Sequence, residues 1–225
     1  TNGPVYVGVL IAVFFILGCF IVRGPLKWAL VAATVMSILL SLGANLEWLT
    51  DLMIYHFPMY SKFRAVESIL VVAEFCMPLL AVLALAQLVR DGAGAWKNYK
   101  TALCVSFGFP ALVALVAVVM PSAFGAAIND ADRMYSEQLQ KQIADYYRQS
   151  GATDSQTAQA VYDFSLANPA NIEAVSELRF GLVRSDGWRS LLFLVLGAGF
   201  LALFYSGKAR RGVAVAGIGA LVLVD

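Results

Sequence analysis

Long apolar runs dominate this sequence and constrain the fold that it can adopt. A helix needs about 20 residues, at 1.5 Å each, to cross roughly 30 Å of hydrocarbon. The runs occupy residues 4–22, 26–43, 65–89, 101–120 and 188–205, and a sixth extends from 212 to 225. Hydrophobic residues make up 60% of the chain, which is far above the soluble range. The sequence therefore predicts an all-α, polytopic transmembrane bundle of about six spans, the last of them truncated.

Positively charged side chains gather in three short loops that contain a single acid, Asp91. These loops are 23–27, 90–100 and 207–212. Cytoplasmic loops of membrane proteins carry an excess of Lys and Arg. The three loops are therefore predicted to face the cytoplasm, which leaves loop 44–64 and segment 122–187 on the outer side. Tryptophans near both predicted boundaries, such as Trp28 and Trp48, agree with that orientation.

The same pattern divides the chain into three parts. Residues 1–121 hold four spans and outer loop 44–64, residues 122–187 form a small extracytoplasmic insertion, and residues 188–225 hold the last two spans. The insertion is predicted to be helical because apolar residues recur there at helical spacing. Predicted helix caps are Asp130 and Asp154 at two helix starts, Gly151 after the first helix, and Asn168 before Pro169 in the third. The third helix is expected to continue into the span at 188.

Several features narrow the class of protein. The chain starts at Thr1 without an initiator Met or a signal sequence, and we interpret it as an internal piece of a larger protein. Its cysteines all lie in apolar runs without metal-ligand spacing, so they are expected to be small buried hydrophobes, with no metal site. No phosphate-binding loop, dinucleotide motif, nucleophile elbow or basic nucleic-acid patch is present. Gly212, Ala216 and Ala220 form a small-xxx-small stripe that predicts close helix packing.

The third span carries two carboxylates, Glu67 and Glu74, on nearly the same helical face. Counted from Ala65, Glu74 lies about nine residues, or roughly 13 Å, into the span and close to the membrane midplane. Pro78 removes the hydrogen bond to the carbonyl of Glu74, so a carboxyl group and an unpaired carbonyl share one level. Ionisable residues inside a span usually face a bundle interior or a wet cavity, which makes this face a candidate site. The alternative is a protonated Glu74 that bonds to a neighbouring helix beside a simple kink.

Two cations, Lys62 and Arg64, stand at the outer mouth of the same span. Arg offers a bidentate fork and Lys a point charge, so together they could bind a phosphate at head-group level. The alternatives are snorkelling to lipid phosphates and an i,i+3 ion pair between Arg64 and Glu67.

The outer loop and third span resemble the YfhO-like family of large bacterial membrane proteins. The resemblance covers nearly the whole chain, including "NGPVYVG", "GANLEWLTDLMIYHFPMYSKFRAVESILVVAEFCMPLLAVLAL" and "RSDGWRSLLFL". It is most specific at Phe57, Pro58, Tyr60, Lys62, Phe63 and Arg64, whereas Ser61 stands where the family usually has Asn.

The resemblance implies a GT-C-like glycosyltransferase of the bacterial inner membrane. Such an enzyme takes a sugar from a polyprenyl-phosphate carrier and passes it to an envelope acceptor on the outer face. Its catalytic acid lies in an earlier outer loop, so the catalytic residues of this segment are unknown. The implied substrate-binding residues are Tyr60, Lys62, Arg64, Glu67 and Glu74. The implied partners are membrane lipids and a lipid-linked sugar donor, with no nucleic acid and no cofactor in this segment; a divalent metal is compatible with the full-length protein.

Two other functions fit the same residues. Midplane carboxylates beside a proline break also occur in ion-coupled transporters and flippases. A non-catalytic scaffold of envelope assembly is the third hypothesis.

Overall fold

The computed structural model describes residues 6–42, 46–56, 66–92, 95–126, 128–207 and 210–225. Within those ranges the chain is all-helical and contains no strand, so the predicted all-α class is confirmed there. The α-helices are α1 Val9–Ile21, α2 Pro25–Ser41, α3 Glu47–His56, α4 Leu70–Asp91, α5 Ala95–Val119, α6 Asp130–Gln149, α7 Asp154–Asp163, α8 Pro169–Tyr205 and α9 Arg211–Val224. Short 3₁₀ helices occupy Val66–Ile69 and Pro121–Phe124.

Among the described residues, three helices are long and apolar enough to cross a membrane. They are α4, the Asn98–Val119 part of α5, and α8. The other apolar helices are shorter, with 13 residues in α1, 17 in α2 and 14 in α9. A span perpendicular to the membrane needs about 20 residues. Whether α1, α2 and α9 also cross the membrane, as the predicted set of six spans requires, therefore stays a prediction. Helix α3 lies where the sequence predicts only an outer loop, 44–64.

The chain forms two compact units, each described here by itself. The first unit combines Thr1–Ala111 with Leu192–Asp225. Its core joins five helices through the buried side chains Phe14, Leu17, Ile21, Ala81, Ala84, Leu88, Leu103, Leu201 and Ile218. In a bilayer such contacts stabilise by close van der Waals packing, because lipid tails are as apolar as the core.

Helices α1 and α4 approach each other closely in this core. A Cβ atom added to Gly18 would lie 2.7 Å from the Cγ and 3.0 Å from the carbonyl oxygen of Leu80. Real Cβ atoms do not approach other atoms so closely, so α1 needs glycine at this position.

The buried hydroxyl groups of Thr34 and Ser106 in the first unit are satisfied by their own helices. Thr34 Oγ1 donates to the carbonyl of Leu30 at 2.8 Å, and Ser106 Oγ donates to the carbonyl of Ala102 at 2.7 Å. Such bonds let a polar side chain sit in an apolar bundle without an unpaired donor. Of the three cysteines, Cys76 is buried as predicted, but Cys104 is exposed on α5.

The small-residue stripe on α9 does not pack as the sequence predicts. Gly212, Ala216 and Ala220 are exposed, and nothing lies within 4 Å of a Cβ added to Gly212. Ala214 and Ile218 form the buried face instead. The prediction was wrong because spacing identifies a face of a helix but not which neighbour it meets.

The second unit is Leu112–Leu191. Both predicted caps of its first two helices are one residue too late. The caps are Asn129, which accepts a hydrogen bond from the amide of Asp132 at 2.9 Å, and Thr153, which accepts one from the amide of Gln156 at 3.4 Å. Each belongs to a capping box, in which the side chain of the third helical residue accepts a hydrogen bond from the backbone amide of the cap residue. Gly151 follows α6 with φ of 79°, and α8 runs unbroken from Pro169 into the predicted span, as expected.

An ion pair links α6 to α8 within this unit. Arg179 donates from both terminal nitrogens to the two carboxylate oxygens of Asp132, each at 2.6 Å. The same carboxylate accepts a bond from the amide of Asn129 at 2.8 Å. The guanidinium of Arg179, followed by the amide of Asn129, lowers the pKa of Asp132 below its usual value.

The lowered pKa of Asp132 predicts an acid-sensitive start to α6. A depressed carboxyl pKa contributes stability above the unfolded value of about 4, and this stability is lost as the pH falls through the folded value. Amide exchange in the first turn of α6 should therefore accelerate at low pH, and Asp132→Asn should show the faster exchange already at neutral pH. Asp130→Asn, an exposed acid of the same turn, is the matched control. Equal protection in both variants would contradict the prediction.

Candidate functional site

The structure describes the surroundings of only one predicted site residue. Tyr60, Lys62 and Arg64 lie outside the described residues. Glu67 falls within the 3₁₀ helix Val66–Ile69, but its side chain is also outside the described part. Glu74 lies in α4 and is exposed. Whether these five residues form one site therefore stays a prediction.

Glu74 lies nearer to the start of its helix than the sequence suggests. Because α4 begins at Leu70, Glu74 is four residues, or about 6 Å, into the α-helix. The preceding turn winds as a 3₁₀ helix, which the apolar pattern alone does not distinguish from α-helix. Pro78 lies inside α4, one turn beyond Glu74, as the sequence requires.

A cavity of about 220 Å³ opens beside Glu74 in the first unit. Three chain segments line it: the start of α1, the Glu74–Pro78 turn of α4, and the end of α9. The lining residues are Tyr6, Val7, Gly8, Ile11, Glu74, Pro78, Val222 and Asp225. The cavity is smaller than the sites of drug-sized ligands, which occupy about 300–1,000 Å³, so it suits a small polar group.

Asp225 places a second carboxylate on this cavity. The hydroxyl of Tyr6 donates to its Oδ1 at 2.9 Å, and the amide of Leu10 approaches its Oδ2 at 3.4 Å. Leu10 is in the first turn of α1, where backbone amides have no partner within the helix. Gly8, the N-cap, provides no side-chain cap. The carboxylate of Asp225 therefore caps α1 and is held facing the cavity.

Glu74 contrasts with Asp225, because no described group donates a hydrogen bond to its carboxylate. An unpaired carboxylate on an apolar helix is costly unless it meets water, a cation or a polar ligand. The cavity therefore presents one fixed carboxylate, one carboxylate without a donor among the described residues, and a phenol. Such acceptors bind sugar hydroxyls or a hydrated cation.

Described residues of two basic loops, 90–100 and 207–212, lie close together in the first unit. Asp91 Oδ2 accepts hydrogen bonds from Tyr99 Oη at 2.8 Å and from Gln87 Nε2 at 3.1 Å. A Cβ atom added to Gly92 would lie 3.9 Å from Nη2 of Arg211, so the residue after α4 and the first residue of α9 are neighbours. Trp96 and Tyr205 also meet there, with ring centroids 5.9 Å apart.

Sequence reasoning missed Tyr6 and Asp225 as partners of the Glu74 face. They bond to each other across 219 residues of sequence. No periodicity or spacing signals a contact at that separation. The one available hint was an acid following the last apolar run.

No family model, curated protein or solved structure matches this chain. The resemblance to the YfhO-like family therefore stays a prediction that rests on the quoted motifs.

Proposed function

We propose that this chain is part of a GT-C-like membrane glycosyltransferase of the YfhO-like kind. In this proposal the protein lies in the inner membrane of a bacterium. The donor is a polyprenyl-phosphate-linked sugar, and the acceptor is a component of the cell envelope. The observation that carries the proposal is the cavity in which Glu74 and Asp225 are presented with Tyr6. The sugar of the donor occupies this cavity, and its hydroxyls donate to the carboxylates.

The rest of the donor is assigned to residues beyond this cavity. In this proposal Lys62 and Arg64 bind its phosphate together with Tyr60 and Glu67, and the apolar helices accommodate its prenyl tail. Transfer breaks the bond between the sugar C1 and the phosphate oxygen and forms a bond from C1 to the acceptor oxygen. The acceptor proton leaves to a base, and polyprenyl phosphate is released. The catalytic group is assigned to another part of the full-length protein.

A transporter or flippase is the second candidate, and one observation favours it. Glu74, which no described group partners, lies beside a proline that frees a backbone carbonyl, and ion-coupled carriers use such groups to bind a cation. A non-catalytic scaffold remains the third candidate.

The three candidates separate in one experiment on the full-length protein. Proteoliposomes receive a polyprenyl phosphate with a radiolabelled sugar, together with an envelope extract as acceptor. We expect label to move onto the acceptor with stoichiometric release of polyprenyl phosphate. Label that changes leaflet and stays on its lipid would identify a flippase instead. A folded protein that does neither would leave the scaffold or a transporter of another substrate.

The proposal includes a membrane topology that cysteine labelling can check. With Cys19, Cys76 and Cys104 replaced by alanine, a cysteine at position 94 should react with an impermeant maleimide only after the membrane is opened. A cysteine at position 155 should react in intact cells, because the basic loops are retained inside. The opposite labelling would show that the orientation is reversed, so that the cavity is not on the outer face, and would contradict the proposed donor site.

A further inference from the structure

A second cavity of about 480 Å³ forms a groove between α4 and α9. Its walls are aliphatic: Val82, Leu85, Ala86 and Val89 from α4, and Val215 from α9. From Val82 to Arg90 the groove follows α4 for about 12 Å, close to the roughly 15 Å depth of one hydrocarbon leaflet. The groove therefore has the length and the apolar lining that suit an acyl chain.

Two arginines, Arg90 and Arg211, line the groove with these aliphatic side chains. Arg90 lies in the last turn of α4 and Arg211 is the first residue of α9, so both stand at the same end of the groove. Within the described part of the chain, no carboxylate pairs with either guanidinium. The nearby Asp91 accepts its hydrogen bonds from Gln87 and Tyr99. Two cations thus lie at one end of the apolar groove.

We propose that this groove binds an anionic phospholipid of the leaflet at that end of the bundle. The lipid phosphate lies between Arg90 and Arg211, whose guanidinium forks match phosphate oxygens. One acyl chain fills the groove along α4. Basic pockets between membrane helices bind acidic lipids by this combination of charge and apolar contact. The site does not include the cavity beside Glu74 and is independent of sugar transfer.

Simple snorkelling makes a different prediction. Snorkelling arginines contact whichever phosphates pass, and the groove then has no part in binding. A bound lipid requires both the charges and the free space at Ala86. Filling the groove while the charges remain therefore distinguishes the two explanations.

The test is native mass spectrometry of the purified full-length protein titrated with phosphatidylglycerol or phosphatidylcholine. We expect wild type to retain phosphatidylglycerol in preference to phosphatidylcholine. Arg90→Gln and Arg211→Gln should each weaken retention about fivefold, and the double variant about 25-fold, as expected for one lost phosphate contact per arginine. Ala86→Phe should weaken it similarly, with Ala86→Leu as a milder groove-filling variant if the first does not fold.

Arg210→Gln is the matched control, because Arg210 adjoins Arg211 in sequence and does not line the groove. It should retain the lipid as wild type does. Equal loss in Arg210→Gln would overturn the site in favour of general charge attraction. Unchanged retention in both Ala86 variants, or equal retention of the two lipids, would overturn it in favour of snorkelling.

Discussion

Replacing Gly18 by alanine is expected to destabilise the protein by about 1–3 kcal/mol, and replacing it by leucine by more. The added Cβ would lie 2.7 Å from Leu80 Cγ and 3.0 Å from the Leu80 carbonyl oxygen. A side chain can rotate away, but the carbonyl belongs to the backbone of α4. The two helices must therefore separate, which loosens the core packing around Phe14, Leu17 and Ala84. Thermal unfolding of the full-length protein in detergent measures the effect.

Gly108 provides the matched control for Gly18. It lies within α5, and nothing is within 4 Å of a Cβ added there. Gly108→Ala should therefore be neutral or slightly stabilising, because alanine is the better helix former. If Gly18→Ala unfolds at the same temperature as wild type, the close contact of α1 with α4 is not a source of stability.

Replacing Glu74 by glutamine is expected to leave folding intact and to weaken donor use about ten- to a hundredfold. The estimate corresponds to one lost hydrogen bond to a charged group. Folding should persist because no described group donates to the Glu74 carboxylate, so the amide leaves no partner unsatisfied. The measurements are thermal stability in detergent and sugar transfer by the full-length protein.

Two further variants assign the effect on Glu74 to the cavity. Asp225→Asn should lower both donor use and stability, because the two oxygens of Asp225 accept from the Tyr6 hydroxyl and the Leu10 amide, and an asparagine side chain offers only one acceptor oxygen. Glu173→Gln, an exposed acid at the start of α8, should change neither. A stable, fully active Glu74→Gln protein would end the functional interpretation of this carboxylate. If Glu74→Leu alone then lost roughly 1 kcal/mol, Glu74 would be a structural hydrogen-bonding residue.

Features that depend on neighbouring residues followed from the sequence, with errors of about one residue. Pro169, the glycine after α6 and the continuation of α8 were predicted because each depends on the backbone preferences of a few adjacent residues. The N-caps are Asn129 and Thr153, one residue before the predicted Asp130 and Asp154. An aspartate favours a helix start both as the cap and in the first turn, and the sequence pattern alone does not separate these two positions. The start of α4 at Leu70 was not predicted, since an apolar run does not mark where 3₁₀ winding gives way to α-helix.

The candidate site was predictable only in part. Glu74 was identified by its own residue type, because a carboxylate is expensive inside an apolar run. Its companions Tyr6 and Asp225 lie 68 and 151 positions away from it, and the groove brings together Arg90 and Arg211, which are 121 positions apart. Amino-acid composition and the spacing of apolar residues contain no information about such distant pairs.

By itself, the sequence determined that the described part of this protein is helical and contains helices long and apolar enough to span a membrane, because these properties follow from the local cost of placing backbone and side chains in water or lipid. Only the tertiary structure decided which face of each helix is buried. On α9 the small residues are exposed and Ile218 is buried, whereas on α1 Gly18 meets the backbone of α4. The physical reason is that close packing depends on the shapes of two surfaces at once. One helix specifies only its own surface, and the fold supplies the other.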